Sequence, residues 1–547
     1  MDEYEIRLAT KDFVVNSVNE YIEVYISTYK DNIGFLLYYP LFAIEYRFKE
    51  ETPNFERAEN DRHALSWFLG ELIKNKGINF ELNFIFSSDD FEFFVCNILS
   101  KIKKLYFDFL LCEQIMDMNS IAKSQIEKLE DEKYKFTLAL VEGGFRKEYL
   151  YFNGLANNER FKQENFIKSQ AANRIVTKYK VHNKQSYMRI KRLLIDIDKE
   201  LLELCYRCVN IDFNNLGGNA KSDIIRNVDE VKSLTAFFYY CSLVINYYYN
   251  IGKIIGSTNS LDLLFFQDSE WIVQKISKIT GLTKNRVEKY LDYFSFKGEG
   301  SLLEFPLLFH KGKILFVSSS WMLNDFQFSI VNGHYYKKKV FNNRDKTISH
   351  SVVNDITTNL LKFSNIIFGK EVYYEFEYKG KMINSDIDVA IYDEKSNTFI
   401  IIECKWKDNH YMIAGEENYR KIQQSLNEIY NEQILKHKAF IDEDKRNLSF
   451  ILEYKLQVEE IADDPEILYI AVDKRSQLYI DENILISSYG LQWLFSLHSE
   501  GDVLHLDEVI KHLRKQRTTA TYLNIGEMKE IKINDQITIV TDEFYSF

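Results

Sequence analysis

The sequence predicts an α/β core in its C-terminal part, a mixed sheet flanked by helices, joined to a large and mainly helical N-terminal region. Three observations lead there. Residues 387–392 and 398–404 read as two strands, joined by the polar, turn-forming run Asp393-Glu394-Lys395-Ser396-Asn397. Residues 399–402 are apolar on both faces, as a central covered strand would be. Around this hairpin, strand and helix patterns alternate, which fits an α/β layer fold.

Each element has its own signal. Residues 349–363 carry apolar residues at 352, 353, 356, 360, 361 and 363, a helical stripe. Residues 365–380 read as an opening strand. After Lys405 comes a loop with Gly415, then a long helix over about 418–441. Residues 467–472 read as a buried strand and 491–497 as a short helix. The first half is expected to be mostly helical, for example at 119–131 and along the leucine-rich stripe 186–209. Strand-like runs occur at 4–9, 21–27 and 80–86. The expected units are 1–270, mainly helical and of unassigned role; 271–345; 346–500; and a C-terminal extension, 501–547.

Composition narrows the class. At 547 residues, three or four domain-sized units fit. Only four prolines occur, so Pro-rich linkers are absent and the units are expected to pack closely. A net charge of −12 argues against a generic nucleic-acid coat protein but not against an enzyme with a local basic groove. Six cysteines without a secretory signal point to a reducing cytoplasm. The most apolar stretch, 235–256, holds too many tyrosines and polar residues for a membrane span and reads as a core helix. Cys205 and Cys208 form a lone C-x-x-C without further zinc ligands, and read as two helix cysteines. No phosphate-binding loop is present; Gly143-Gly144 and Gly217-Gly218 lack the flanking pattern.

The chemistry sits at the ends of the hairpin strands. Side chains two apart on a strand share a face. Asp386 and Asp388 are therefore expected on one face, and Glu403 and Lys405 on one face, with Ile402 and Cys404 turned away. Charges that end such an apolar strand are costly unless paired or bound to metal. Two carboxylates can hold Mg²⁺, which takes oxygen ligands and keeps several waters. A metal lowers the pKa of bound water and neutralises phosphoryl charge, and a lysine can stabilise developing negative charge. The plain alternative, a hairpin with surface ion pairs, does not explain why both charged pairs flank the most apolar strand of the region.

This arrangement resembles the PD-(D/E)XK nuclease superfamily, with its restriction-endonuclease-like fold, over roughly residues 346–500. Asp388 matches the lone aspartate, and Glu403 and Lys405 match the E-x-K; Asp386 falls where related sequences often carry a second acid. Ile387 stands in place of the usual proline. The order of helix, strand and hairpin also follows that core. The resemblance implies Mg²⁺ or Mn²⁺ held by Asp388, Glu403 and the backbone carbonyl of Cys404, with Lys405 as the third catalytic residue. It further implies that Gln433 or Lys436, on the helix after the E-x-K strand, faces the site and touches phosphate. Asp355, on the first helix, would add a supporting contact. Homodimerisation to cut both strands is a common device of this fold.

Between the halves, residues 272–294 resemble a helix-turn-helix: an apolar helix, Gly281 at a turn, Thr283 as N-cap, then a second helix. A hairpin follows, in winged-helix order. Lys284, Asn285, Arg286 and Lys289 would lie on the exposed face of the second helix, suited to phosphate or base contacts. Residues 282–350 hold eleven Lys and Arg against six Asp and Glu, including Lys337-Lys338-Lys339. The alternative is a module of this shape that only joins domains.

The expectation is a Mg²⁺-dependent nuclease acting on DNA, with RNA as the second substrate class. From a different class stands a non-catalytic nucleic-acid-binding module of nuclease-like fold. Abundant Asn, Lys, Ile and Tyr suggest an AT-rich bacterial genome, where a nuclease of this kind fits restriction or anti-phage defence, alone or with a partner defence protein.

Overall fold

A computed structural model describes residues 2–29, 35–50, 55–76, 91–116, 118, 123–137, 139–142, 159–179, 184–213, 221–256, 265–310, 312–323, 330, 333–334, 337, 344–405, 424, 426–473, 479–480, 483–515, 519–522 and 528–542. The chain mixes helix and sheet, and its N-terminal region is helical. Helices α1 (Glu3–Thr28), α2 (Phe35–Glu50), α3 (Phe55–Lys76) and α4 (Phe91–Ile115) come first. Asp2 caps α1 in a reciprocal capping box with Glu5. Three strands follow, β1 (Gln125–Glu130), β2 (Lys133–Thr137) and β3 (Ala139–Glu142), then helices α5 (Glu159–Tyr179), α6 (Lys184–Arg192), α7 (Lys199–Phe213) and α8 (Val228–Ile254).

Several local expectations are corrected here. Residues 4–9 and 21–27 are helical, within α1, because Ile6, Val14, Val18 and Ile22 form a buried helical stripe longer than either run. Gln125–Glu130 is a strand rather than helix, closed against β2 by a hairpin in which Glu132 takes φ 66. The stripe 186–209 is two helices, broken before Asp198, whose side chain caps the start of α7 by accepting from the Glu200 and Leu201 amides. Residues 80–86, 119–122, 143–144 and 217–218 lie outside the described residues. Helix α8 is the expected core helix, with Asn227 as its N-cap and seventeen buried residues. Among the described residues, no helix is long and apolar enough to cross a membrane.

The central module is β4 (Phe265–Asp268), α9 (Ser269–Thr280), α10 (Lys284–Tyr293), β5 (Leu307–His310), β6 (Lys313–Phe316) and α11 (Ser318–Leu323). Gly281 ends α9 at φ 75, a left-handed conformation that suits glycine, and Thr283 caps α10 by accepting from the Arg286 amide. Strands β4 and β5 both pair with β6. This small sheet is buried on both faces. Leu307, Ile314 and Phe316 join one core with α5–α8, whereas Leu308 and Leu315 join a second core with α1–α4. The module is thus the seam between two hydrophobic cores. Buried polar contacts reinforce it: Glu45 accepts from the amide and hydroxyl of Ser319, and Arg62 donates to Ser320 Oγ at 3.1 Å.

The C-terminal part begins with α12 (Arg344–Leu360), followed by β7 (Ile366–Tyr378), β8 (Lys381–Asp393) and β9 (Thr398–Lys405). A π-helical turn, Ile429–Ile434, leads into α13 (Leu435–Glu443) and α14 (Arg446–Ile451). Strands β10 (Glu466–Asp473), β11 (Tyr479–Ile480) and β12 (Ile484–Ser487) precede α15 (Ser488–Leu497), and the short strands β13 (Ser499–Glu500) and β14 (Val503–Leu504) precede α16 (Leu506–Lys515). One six-stranded sheet runs in the order β11-β12-β10-β9-β8-β7. Its strands are antiparallel from β7 to β9 and parallel from β9 through β10 to β12. Ile400, Ile402 and Cys404 face the core that contains residues of α12, α15 and α16, whereas Phe399 and Ile401 face residues of α13 and α14. Helices therefore cover both faces of the central strand, which is why 399–402 is uniformly apolar. Gly369 lets β7 meet α14 closely; a Cβ there would collide with the Ile451 carbonyl oxygen.

The last strands, β15 (Thr519–Tyr522), β16 (Met528–Asn534) and β17 (Ile537–Asp542), return to the N-terminal region. Strand β15 pairs with β3, and β17 pairs with β2. Ile537 and Ile539 are buried in the core of α1–α4.

Candidate active site

Strand periodicity decides where the charges fall. Glu403 follows Phe399 and Ile401 onto the face covered by α13, while Cys404 is buried on the other. Strands β8 and β9 pair as far as Val389↔Ile402. Beyond that pair Asp388 Oδ2 accepts directly from the Cys404 amide at 2.6 Å. The carboxylate thus takes a backbone donor at the point where the two strands part. Alternation along β8 also breaks here, since Ile387 shares a cluster with Ala390 and Tyr392. Across from it, between Lys370↔Val389 and Val372↔Ile387, Glu371 adopts φ 52. The expected sharing of one face by Asp386 and Asp388 is therefore not a plain consequence of strand geometry.

Asp388 and Glu403 are both buried, at 8% and 4% exposure. Glu403 Oε1 lies 2.8 Å from Lys405 Nζ, and its Oε2 lies 3.0 Å from His437 Nε2. His437 is fully buried, and its Nδ1 lies 2.7 Å from the Tyr374 hydroxyl. Burial, then the charge of Glu403, pushes the Asp388 carboxyl well above the usual carboxylate range, against the pull of the Cys404 amide and Lys405. Burial also pushes Glu403 upward, but the His437 hydrogen bond and the Lys405 ammonium outweigh it and hold Glu403 below its ordinary value. Burial works against a charged Lys405, yet Glu403, Asp388 and Asp386 together raise its pKa. Asp386 is half-buried and raised, by burial first and then by Glu403.

The donor set suits a hard divalent cation. Two buried carboxylates that repel each other supply oxygen ligands whose repulsion a cation would relieve. Carboxylate oxygens have lone pairs beyond those used by Lys405, His437 and the Cys404 amide. Among the described residues, no group of three or more His, Cys, Asp and Glu side chains is set to hold a metal ion. A cation here would rest on two side chains and take the rest of its shell from other oxygens, water among them.

Asp388, Glu403, Lys405 and Asp386 come together. Gln433 and Lys436 are half-buried, and no hydrogen bond or ion pair joins either to the carboxylates. The residue of this helix that reaches Glu403 is His437. The π turn just before it has a wider spacing than an α turn, so the facing position moves on from the one an ideal helix would present. The sequence signal was available: His437 shares a helical face with Ile434, Phe440 and Ile441, where a polar residue needs a partner. Asp355 lies on α12, and its backbone carbonyl accepts from Gln492 at 3.4 Å. Gly415 and residues 418–423 lie outside the described residues.

In the central module, Lys284, Asn285 and Lys289 are exposed on α10. Arg286 is not a free surface cation. It pairs with Glu230 of α8 at 2.8 Å, donates to the Tyr290 hydroxyl and lies over the Tyr290 ring. Lys337 is also turned inward, over the Phe305 ring, and burial lowers its pKa. Lys338 and Lys339 lie outside the described residues.

No family model matches this chain, and no curated protein and no solved structure matches it either.

Proposed function

We propose that this protein is a Mg²⁺- or Mn²⁺-dependent nuclease whose site is Asp388, Glu403 and Lys405, with DNA as its first substrate class. The observation that carries the reading is the meeting of two buried, mutually repelling carboxylates and a charged lysine where β8 and β9 part. The order of β7, β8, β9 and β10, an antiparallel meander followed by a parallel strand, supports the nuclease-like core that the motif suggests.

In this reading Asp388, Glu403 and the Cys404 carbonyl hold the cation, which when bound lowers the pKa of water and offsets charge on a phosphoryl oxygen. Lys405, kept charged by Glu403, orients the attacking water and stabilises negative charge as it develops. His437 positions Glu403: its Nε2–H donates to Oε2, and Tyr374 can donate in turn to Nδ1. Lys284, Asn285 and Lys289 offer backbone contacts at a distance from the chemistry. A defence role in a bacterial cytoplasm, and homodimerisation, are extensions of this reading.

The second reading is a non-catalytic nucleic-acid-binding module. It is favoured by one observation: both Glu403 oxygens already have protein partners. Purified protein incubated with plasmid, linear and single-stranded DNA and with RNA, in Mg²⁺ or in EDTA, separates the two. Metal-dependent cleavage is expected. Binding without cleavage under every metal condition would leave the second reading, and cleavage of RNA alone would change the substrate class.

A further inference from the structure

We propose that the surface shared by α6 and α9 binds the sugar-phosphate backbone of nucleic acid and holds it without reading its sequence. This deepens the nucleic-acid reading above. It extends the backbone contact beyond α10, the helix that the helix-turn-helix pattern singles out, and gives α6 and α9 the larger share.

Two stretches of the chain are basic and hold no acid. Residues 184–195 carry Lys184, Arg189, Lys191 and Arg192, and residues 271–287 carry Lys275, Lys278, Lys284 and Arg286, in a chain of net charge −12. The fold sets the two side by side. The chain leaves α6 by a turn in which the Ile195 amide donates to the Arg192 carbonyl at 2.8 Å. The Lys275 ammonium of α9 donates to the Ile195 carbonyl, so it stands one turn of chain from Arg192. Arg189, Lys191, Arg192 and Lys278 are exposed, and Lys275 is half-buried. Trp271, Lys275 and Lys278 recur along one side of α9 at i, i+4 and i+7. The Lys275 ammonium lies 5.5 Å from the centre of the Trp271 ring.

Local charge balance favours this surface over α10. Among the described residues, no carboxylate is paired with Arg189, Arg192 or Lys278. Asp196 borders the surface, and the next acid, Asp198, is held by Arg174 and Lys178. On α10, by contrast, Lys284 and Lys289 stand among the exposed acids Glu288 and Asp292, and Arg286 is taken up by Glu230. The cations of α6 and α9 are spread over two helices instead of converging on one point. An extended polyanion suits that spread better than a single phosphate does. Arginine and lysine neutralise backbone charge and release counterions, and such contacts fix position without carrying sequence information.

The test uses full-length Asp388→Asn protein and short duplexes of unrelated sequence, with affinity measured against salt. Arg189→Gln, Arg192→Gln and Lys278→Gln together should flatten the slope of log affinity against log salt by about 2.7 units, for three phosphate contacts. The change should be equal on every sequence, and thermal unfolding should stay unchanged because all three positions are exposed. An equal loss of charge at the exposed Lys123, Lys515 and Lys532, also replaced by Gln, should leave the slope as it was. An unchanged slope in the first triple variant, or equal flattening in the second, would overturn the proposal and leave the nuclease reading untouched. Wild type that binds phosphatidylserine vesicles but no nucleic acid would assign the surface to a membrane and overturn it as well. Wild type that binds duplex with the expected slope yet cleaves nothing in Mg²⁺ or Mn²⁺ would support the surface and end the nuclease reading.

Discussion

His437 Nε2 and Glu403 Oε2 lie 3.0 Å apart, and this contact joins the helical layer to the end of the central strand. It places a fully buried imidazole behind a carboxylate whose other oxygen faces Lys405. The carboxylate is thereby held ionised and fixed in orientation, the two things a ligand or charge partner requires.

Removing the imidazole should uncouple this support. His437→Ala leaves Glu403 Oε2 and the Tyr374 hydroxyl without their partner, a cost of about 2 kcal/mol for a buried hydrogen bond to a charge. Metal-dependent cleavage should fall about tenfold to a hundredfold, with weakened metal affinity. His437→Gln, which keeps an amide donor, should recover part of both. Equal metal affinity in wild type and His437→Ala would show that the contact serves packing alone.

Asp388 is held buried at a cost to stability. Burial and Glu403 make its charged form unfavourable, yet an amide at this position can still accept from the Cys404 N–H. Asp388→Asn should match or exceed the wild-type melting temperature in EDTA while losing cleavage by orders of magnitude. Added Mg²⁺ should raise the melting temperature of wild type and leave the variant unmoved. A variant less stable than wild type in EDTA would refute the repulsion argument.

Lys405 should matter to turnover more than to binding. Its ammonium is partly exposed and held charged by Glu403. Lys405→Ala should lower kcat strongly and leave nucleic-acid affinity nearly unchanged. Parallel losses in affinity and rate, measured on the same oligonucleotide, would make it a phosphate clamp.

The central helix separates two kinds of cation. Replacing Lys284 and Lys289 with Ala should flatten the slope of log affinity against log salt by about 1.8 units, for two phosphate contacts, with the fold unaffected. Arg286→Ala should instead destabilise by about 2 kcal/mol, because it removes the guanidinium from the half-buried Glu230 carboxylate. An unchanged salt slope in the double variant would leave the module as a joint between cores.

Acid should expose the N-terminal region. Burial raises the Asp198 carboxyl, but Arg174 and Lys178 outweigh it and bring its pKa down to about 2. A folded value below the unfolded one stabilises above the unfolded pKa, and that stability is lost as pH falls through the folded pKa. Asp198→Asn should thus cost about 2 kcal/mol at neutral pH, with the gap from wild type closing mainly between about pH 4 and pH 2. Urea unfolding across that range measures it; a gap independent of pH would assign the cost to capping alone.

What the sequence by itself determined is local and periodic. The hairpin 387–404, the helix pattern before it, the turn at Gly281 and the cap at Thr283 follow from period-two or helical patterning and from turn and cap chemistry within a few residues. The convergence of Asp388, Glu403 and Lys405 was legible for the same reason, since one hairpin carries all three. Tertiary structure alone decided the rest. Arg286 reads as a surface cation until α8 brings Glu230 to it, and His437, a polar residue on an apolar helix face, has no partner in the sequence until the fold sets it against Glu403. Residues 4–9 and 21–27 have strand composition, but the buried stripe of α1 runs through both, and burial along a long helix outweighs the preference of six or seven residues. Strand β17 finds β2 across some four hundred residues of chain, a pairing that no local pattern encodes, because hydrogen bonds between distant strands are fixed by which cores the chain closes around.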